Sequence, residues 1–216
     1  MAVFEGRFPQ ITFAFDAAFS LSSREHSDLH HRWIKISARI GGELPGSMLM
    51  ASVQRVGRID MLLRSLEDEA QIDVPFEQMP SRHDNQTMMS EIWVGWAYEV
   101  FRLLIQRGRA LSEEPGFKLL AHHLTLLRMT IDKHEIAADR KLVEPLQMMR
   151  HPPNGDASDI YEYSRNDPLR AHIMPVGLSG RGSVMWNAMD IKAGRAFWLE
   201  RRELSDRILA LWAPPV

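Results

Sequence analysis

Leu120, Leu124, Leu127, Ile131, His134 and Ala138 follow one another at steps of four, three, four, three and four. That spacing lines one face of an α-helix, and a helix with such a stripe must bury it against other elements. Glu113-Glu114-Pro115 suits the first turn of this helix, because proline's missing N–H is unused there and carboxylates favour the positive end of the dipole.

Three more segments upstream show the same periodicity. Ser23 reads as an N-cap for a helix in which Leu29, Trp33, Ile36 and Ile40 recur, ended by Gly41-Gly42 and Pro45. Ser47 can cap a second, with Met50, Val53, Val56, Leu63 and Leu66 as apolar positions to about Ile72, before a loop bracketed by Pro75 and Pro80. A third is expected from Asn85-Gln86-Thr87 to about Arg109, with Ile92, Trp96, Glu99, Leu103 and Gln106 along one line and Trp93, Val100 and Leu104 beside it. Gly95 inside it costs about 1 kcal/mol against alanine and invites close approach of a neighbouring helix.

The two ends read differently. Ile11, Phe13 and Phe15 alternate with Thr12 and Ala14, the period-2 pattern of a short strand. After Pro145, the stretch His151–Gly182 contains Pro152, Pro153, Pro168 and Pro175, so it cannot be a long helix. Ile160-Tyr161-Glu162-Tyr163 and His172-Ile173-Met174 are nonetheless apolar enough to pack as one or two strands. A last helix, about Arg195 to Leu211, carries Trp198, Leu199, Ile208 and Leu209. The expected fold is all-α: a four- to five-helix antiparallel bundle with a small β appendage, in one domain spanning 1–216. Its bundle core covers about 22–142 and 195–212, with an irregular excursion at about 150–186.

Composition narrows the chemistry. Cysteine is absent, which excludes disulfides, thiolate zinc sites and a cysteine nucleophile, and fits a reducing compartment. A net charge of −2 gives no global attraction to nucleic acid or acidic membranes. The apolar stretch Ile11–Phe19 is broken by Asp16 and preceded by acidic Glu5, so it does not read as a signal peptide. No run approaches the roughly 18 apolar residues of a spanning helix. The expected setting is cytoplasmic.

The segment Arg128–Glu135 carries the sharpest chemical signal. His134 stands on a line otherwise apolar, and Arg128, Asp132 and Glu135 lie along the next. In the plain reading His134 is a core histidine and Arg128 forms an i, i+4 pair with Asp132. In the sharper one, a histidine that moves protons near neutral pH stands beside an arginine that can hold a phosphate. Arg128, five intervening residues and His134 late in a helical bundle resemble the R-x(4–6)-H signature of the HEPN superfamily. The resemblance covers residues 47–142 in architecture and two residues in motif. It implies a metal-independent endoribonuclease in a toxin or defence context, often dimeric, with Arg128 and His134 catalytic and the scissile phosphate between two copies. Asp132, Lys133 and Glu135 would line the binding site, with RNA as partner and no cofactor. Met129 departs from the pattern, since catalytic members commonly place a polar residue there. The rival class is a non-catalytic helical interaction or regulatory module acting through an apolar face.

Other motifs fall short. His134-Glu135-Ile136-Ala137-Ala138 lacks the second histidine of a zincin. His26, His30, His31, His122 and His123 could join Glu91, Glu99 or Glu135 at a metal, but no Glu-x-x-His occurs, and surface histidines near helix ends are the simpler reading. Gly177–Ser183 could cradle an anion, yet it lacks the Walker spacing and lysine, and a nucleotide cofactor is not expected. Arg102, Arg107 and Arg109 crowd one helix end, where cations suit the dipole. Arg195, Arg201, Arg202 and Arg207 alternate with Glu200, Glu203 and Asp206, the pattern of a solvated face. The tryptophans are expected in the core or at a subunit interface.

Overall fold

The computed structural model describes residues 9–71, 82–150 and 159–213. The Glu5 flank, the end of the second expected helix at Ile72, the Pro75–Pro80 loop and the start of the excursion at His151–Pro153 lie outside the described residues. Among those described, six α-helices and two small antiparallel sheets follow in the order α1 (Gln10–Glu25), α2 (Ser27–Glu43), α3 (Leu49–Glu69), α4 (Arg82–Gln106), α5 (Phe117–Lys133), β1 (Leu146–Arg150), β2 (Asp159–Tyr163), β3 (Val176–Leu178), β4 (Val184–Asp190), β5 (Arg195–Glu200) and α6 (Arg201–Trp212).

Each helix from α2 to α5 packs on the next, and α1 packs on α3. The main core gathers Trp33, Ile36 and Ile40 of α2, Val53, Val56 and Leu63 of α3, Trp93, Val100 and Leu104 of α4, Leu120, Leu124 and Leu127 of α5, and Ile208, Leu209 and Trp212 of α6. β4 brings Val184, Trp186 and Ala188 into the same core, its buried residues alternating as a one-sided strand requires. Ring stacking ties its far end, with Phe101 centred 4.6 Å from Phe117 and 4.9 Å from Trp212. α2 and α3 approach most closely at Gly57, where an added Cβ would lie 2.6 Å from the Trp33 ring.

The mostly helical class expected from periodicity is present, but several boundaries differ. Ile11–Phe15 is helix, not strand. Ile11, Phe13 and Phe15 are all exposed, so their alternation reflects no buried sheet face. Ser23 lies inside α1 and donates to the Phe19 carbonyl at 2.8 Å; the chain breaks instead at His26. α2 continues through Gly41-Gly42 to Glu43. Met48, not Ser47, is the N-cap of α3, and Ser47 just before it accepts from the Leu49 N–H at 3.3 Å. On α4 the buried face is Trp93, Val94, Ala97, Val100, Phe101 and Leu104, while Ile92 and Trp96 on the expected line are exposed. The Glu113-Glu114-Pro115 segment precedes α5: Ala110–Glu113 is a 3₁₀ turn, and Gly116 at φ 87° starts the helix.

Downstream the excursion is more regular than expected. β1 pairs with β2 from Leu146↔Tyr163 to Arg150↔Asp159. β3, β4 and β5 form a second sheet, with Trp186 opposite both Val176 and Leu199. The β structure therefore comes from 146–200 and not from the N-terminal segment. Arg195–Glu200, read as helix, is strand β5, because it pairs along the whole of β4 while α6 starts at Arg201. Of the tryptophans, Trp33, Trp93, Trp186 and Trp212 are buried, whereas Trp96 and Trp198 are exposed.

Candidate functional site

α5 stops at Lys133. His134 takes a left-handed conformation, φ 55° and ψ 28°, and its N–H closes the last turn on the Thr130 carbonyl at 2.9 Å. The stripe thus ends at Ile131: His134 is exposed at the helix terminus, and Ala138 belongs to the next turn, also left-handed at φ 63°. His134 is accordingly not a core histidine.

Arg128 lies one turn inside the helix. Its guanidinium stands 5.3 Å from the centroid of the Tyr98 ring and pairs with Asp132 at 3.0 Å, the i, i+4 pair that the spacing suggests. The side chains of this pair retain 26% and 45% of their accessible surface, so it faces solvent. Lys133 is exposed beside it. From α4, Glu91 joins the group: burial raises its carboxyl above the ordinary value, Asp132 raises it further, and His134 opposes both. Asp132 therefore pairs with Arg128 and acts on Glu91, and His134 acts on Glu91, at one end of α5. Glu135 turns the other way, to Arg170.

That second side is a network which the sequence reading did not assemble. Arg170 donates to Glu135 at 3.1 Å and to Asp139 at 2.7 Å. The Tyr163 hydroxyl donates to Asp139 at 3.1 Å and accepts from the Ile136 N–H at 3.1 Å. The His172 N–H donates to the His134 carbonyl at 2.7 Å, and its ring Nδ1 meets the Tyr161 hydroxyl at 2.8 Å. Beneath lies a small apolar cluster of Ile136, Leu142 and Tyr163. Burial lowers the His172 imidazole below its ordinary range and raises the Tyr163 phenol. The side-chain partners that clamp residues 135–139 lie 24 to 35 residues away in sequence, so no local motif announces them.

The remaining expected motifs resolve structurally. Gly177–Ser183 is the β3–β4 turn, and the Ser179 hydroxyl already accepts from the N–H groups of Arg181 and Ser183. Gly182 is inserted against α3, its carbonyl accepting from Gln86 at 2.6 Å, so the loop plugs the core and is no anion cradle. Arg201 is not on a solvated face. It is fully buried, bridging Asp60 and Glu67 of α3, with Arg64 beside them. Trp33 donates to Asp60 at 2.9 Å. Burial pushes the Asp60 carboxyl up, and Arg64 and Arg201 more than reverse it. His122 pairs with Asp190 at 2.7 Å, and Arg207 donates to His123 at 3.2 Å. Burial first, then Arg207, lowers His123 to about 4. Among the described residues no group of three or more histidines and carboxylates is arranged to hold a metal ion.

No family model matches the chain, and neither the curated proteins nor the solved structures contain a match to it. No helix among the described residues is long and apolar enough to cross a membrane.

Proposed function

We propose that the chain is a single-domain, HEPN-like, RNA-directed protein of the cytoplasm, with helices α2–α5 as its antiparallel bundle and Arg128 and His134 as a metal-independent ribonuclease pair. Arg128 would hold the scissile phosphate and its developing charge, while His134 would take or polarise the 2′-hydroxyl proton. Asp132 and Lys133 would border the substrate, while Glu135, held by Arg170, would support the turn that carries His134. The observation that supports this reading is the solvent-reached end of α5, where His134 is exposed and the carboxylate paired with Arg128 is itself half-exposed. An ion pair of that exposure contributes about 0–1 kcal/mol, so an RNA phosphate can displace Asp132 at little cost.

Incubation with total RNA without added metal tests the reading. Wild type is expected to cleave, and His134→Ala is expected to lose cleavage with its melting temperature nearly unchanged. Wild-type protein that binds RNA no better than an unrelated acidic protein sinks it.

A second reading has its own observation. Met88, Ile92 and Trp96 on α4 are exposed at helical spacing, and a Cβ on Gly95 beside them would meet nothing within 4 Å. This face suits a neighbouring helix, and a second copy of the chain is its proposed occupant, which would make the protein a homodimer. If RNA is not cleaved, the same face supports a non-catalytic interaction module. Light scattering decides the dimer: a monomer at micromolar concentration excludes it, and Trp96→Asp is expected to convert a dimer to a monomer.

A further inference from the structure

Two described residues other than glycine have positive φ, His134 and Ala138. Each is followed by a carboxylate, Glu135 and Asp139, and one side chain holds both: Arg170. Tyr163 fastens Ile136 between them, and the His172 N–H fastens the His134 carbonyl itself. A left-handed residue bearing a Cβ costs about 1–2 kcal/mol and persists where its surroundings over-determine it. The residues flanking both strained positions are tied to the segment Tyr161–His172, which is otherwise an excursion away from the helices.

The anchors are themselves fixed. Tyr163 is 1% and His172 3% exposed. Protonation of His172 at Nδ1, facing Tyr161, leaves only a lone pair at the buried Nε2, whereas the other tautomer leaves an N–H without an acceptor. Arg170 is already engaged by two carboxylates. Its geometry serves the turn.

We infer that Tyr161–His172 is a positioning element, in which Arg170 bridges Glu135 and Asp139 to set the left-handed turn from which His134 presents its imidazole to solvent at the end of α5. This rests on the reading that His134 carries function, and Arg170 is then a positioning residue of that site.

The test uses full-length protein labelled with ¹³C and ¹⁵N in histidine, comparing wild type with Arg170→Gln, Arg170→Lys and Tyr163→Phe. The His134 ring cross-peak is assigned by its loss in His134→Ala. It is expected to shift and broaden in Arg170→Gln, to lie between the two in Arg170→Lys, and to leave the His122 and His123 cross-peaks in place. The maximal cleavage rate on total RNA is expected to fall by roughly 100-fold in Arg170→Gln, with the half-saturating RNA concentration nearly unchanged. A His134 cross-peak that stays in place in folded Arg170→Gln overturns the inference, as does one that moves without slowing cleavage. A cross-peak that moves in a protein whose wild type cleaves no RNA upholds the positioning role and removes the ribonuclease reading. Should Arg170→Gln fail to fold, Tyr163→Phe removes only the two hydroxyl hydrogen bonds and supplies the same readout.

Discussion

Arg201 and Arg170 each bridge a pair of carboxylates, and the two do different work. Arg201 bridges Asp60 and Glu67 with all three side chains cut off from solvent. Arg170 bridges Glu135 and Asp139 with 22%, 30% and 14% of the side chains accessible. In the first, Arg64 and Trp33 also hold Asp60 and Arg202 also meets Glu67, but water reaches none of the three bridged groups, so each depends on the network and the joint between α3 and α6 is locked. In the second, water can replace any partner that leaves, so the bridge governs the shape of a turn more than the survival of the fold. Equal chemistry in unequal dielectric separates a structural bolt from an adjustable brace.

Breaking the bolt should have the largest effect. Arg201→Met leaves buried Glu67 with only its 3.4 Å contact to Arg202 and Asp60 with Arg64 and Trp33, and is expected to destabilise by about 3–5 kcal/mol. Urea unfolding measures this, and a loss below about 1 kcal/mol would mean that water reaches the network. Leu127→Ala, at a position with no exposed surface, gives the apolar reference, about 2–5 kcal/mol. Arg170→Gln should fall clearly below both in the same assay; equality with Arg201→Met would erase the contrast.

Acid should separate the two regions as well. Burial lowers His172 and His26, and lowers His123 from 6.5 to about 4. The unfolded chain takes up protons below about pH 6.5 that these folded imidazoles refuse, so the stability they contribute is present above that pH and lost as it falls toward 4. Asp60, held below its ordinary value of 3.8, keeps its contribution until the pH falls further still. Melting temperatures should therefore decline through the histidine range before the buried network fails, and His123→Gln should flatten the early decline. A flat profile down to about pH 4.5 would contradict the shifts.

The smallest effect concerns strain. Ala138→Gly relieves a left-handed Cβ while adding chain entropy to the unfolded state, for a net gain of about 0.5 kcal/mol. A loss of similar size would show that the turn at Ala138 stores nothing.

How far the sequence could be read follows the same division between local and distant. The stripes of Trp33, Ile36 and Ile40 and of Leu120, Leu124 and Leu127 repeat within each helix, so periodicity finds them. The end of α5 is harder, since His134 and Ala138 continue the stripe arithmetically and only the clamp of Arg170, Tyr163 and His172 shows that the helix has stopped. β5 was hidden because Arg195–Glu200 runs without a breaker into α6. Arg201 was misread because its neighbours alternate in charge, while its partners lie 134 and 141 residues away. One signal was available: Asp60, Arg64 and Glu67 follow at steps of four and three, the spacing of a buried stripe, on a helix whose other stripe is apolar. Charges at core spacing call for a partner of opposite sign elsewhere in the chain.

The bolt also sets an order of events during synthesis. Asp60 leaves the ribosome with Arg64 as an ion-pair partner on its own helix, yet Arg201, which also bridges it to Glu67, is translated 141 residues after Asp60. At about 5–20 residues per second that interval is on the order of ten seconds. Until it passes, Glu67 lacks its arginine partners and keeps water at α3, and the nascent chain remains open to proteases and chaperones however well its helices have formed. Limited proteolysis of stalled chains ending before and after Arg201 should show protection of α3 only in the longer ones.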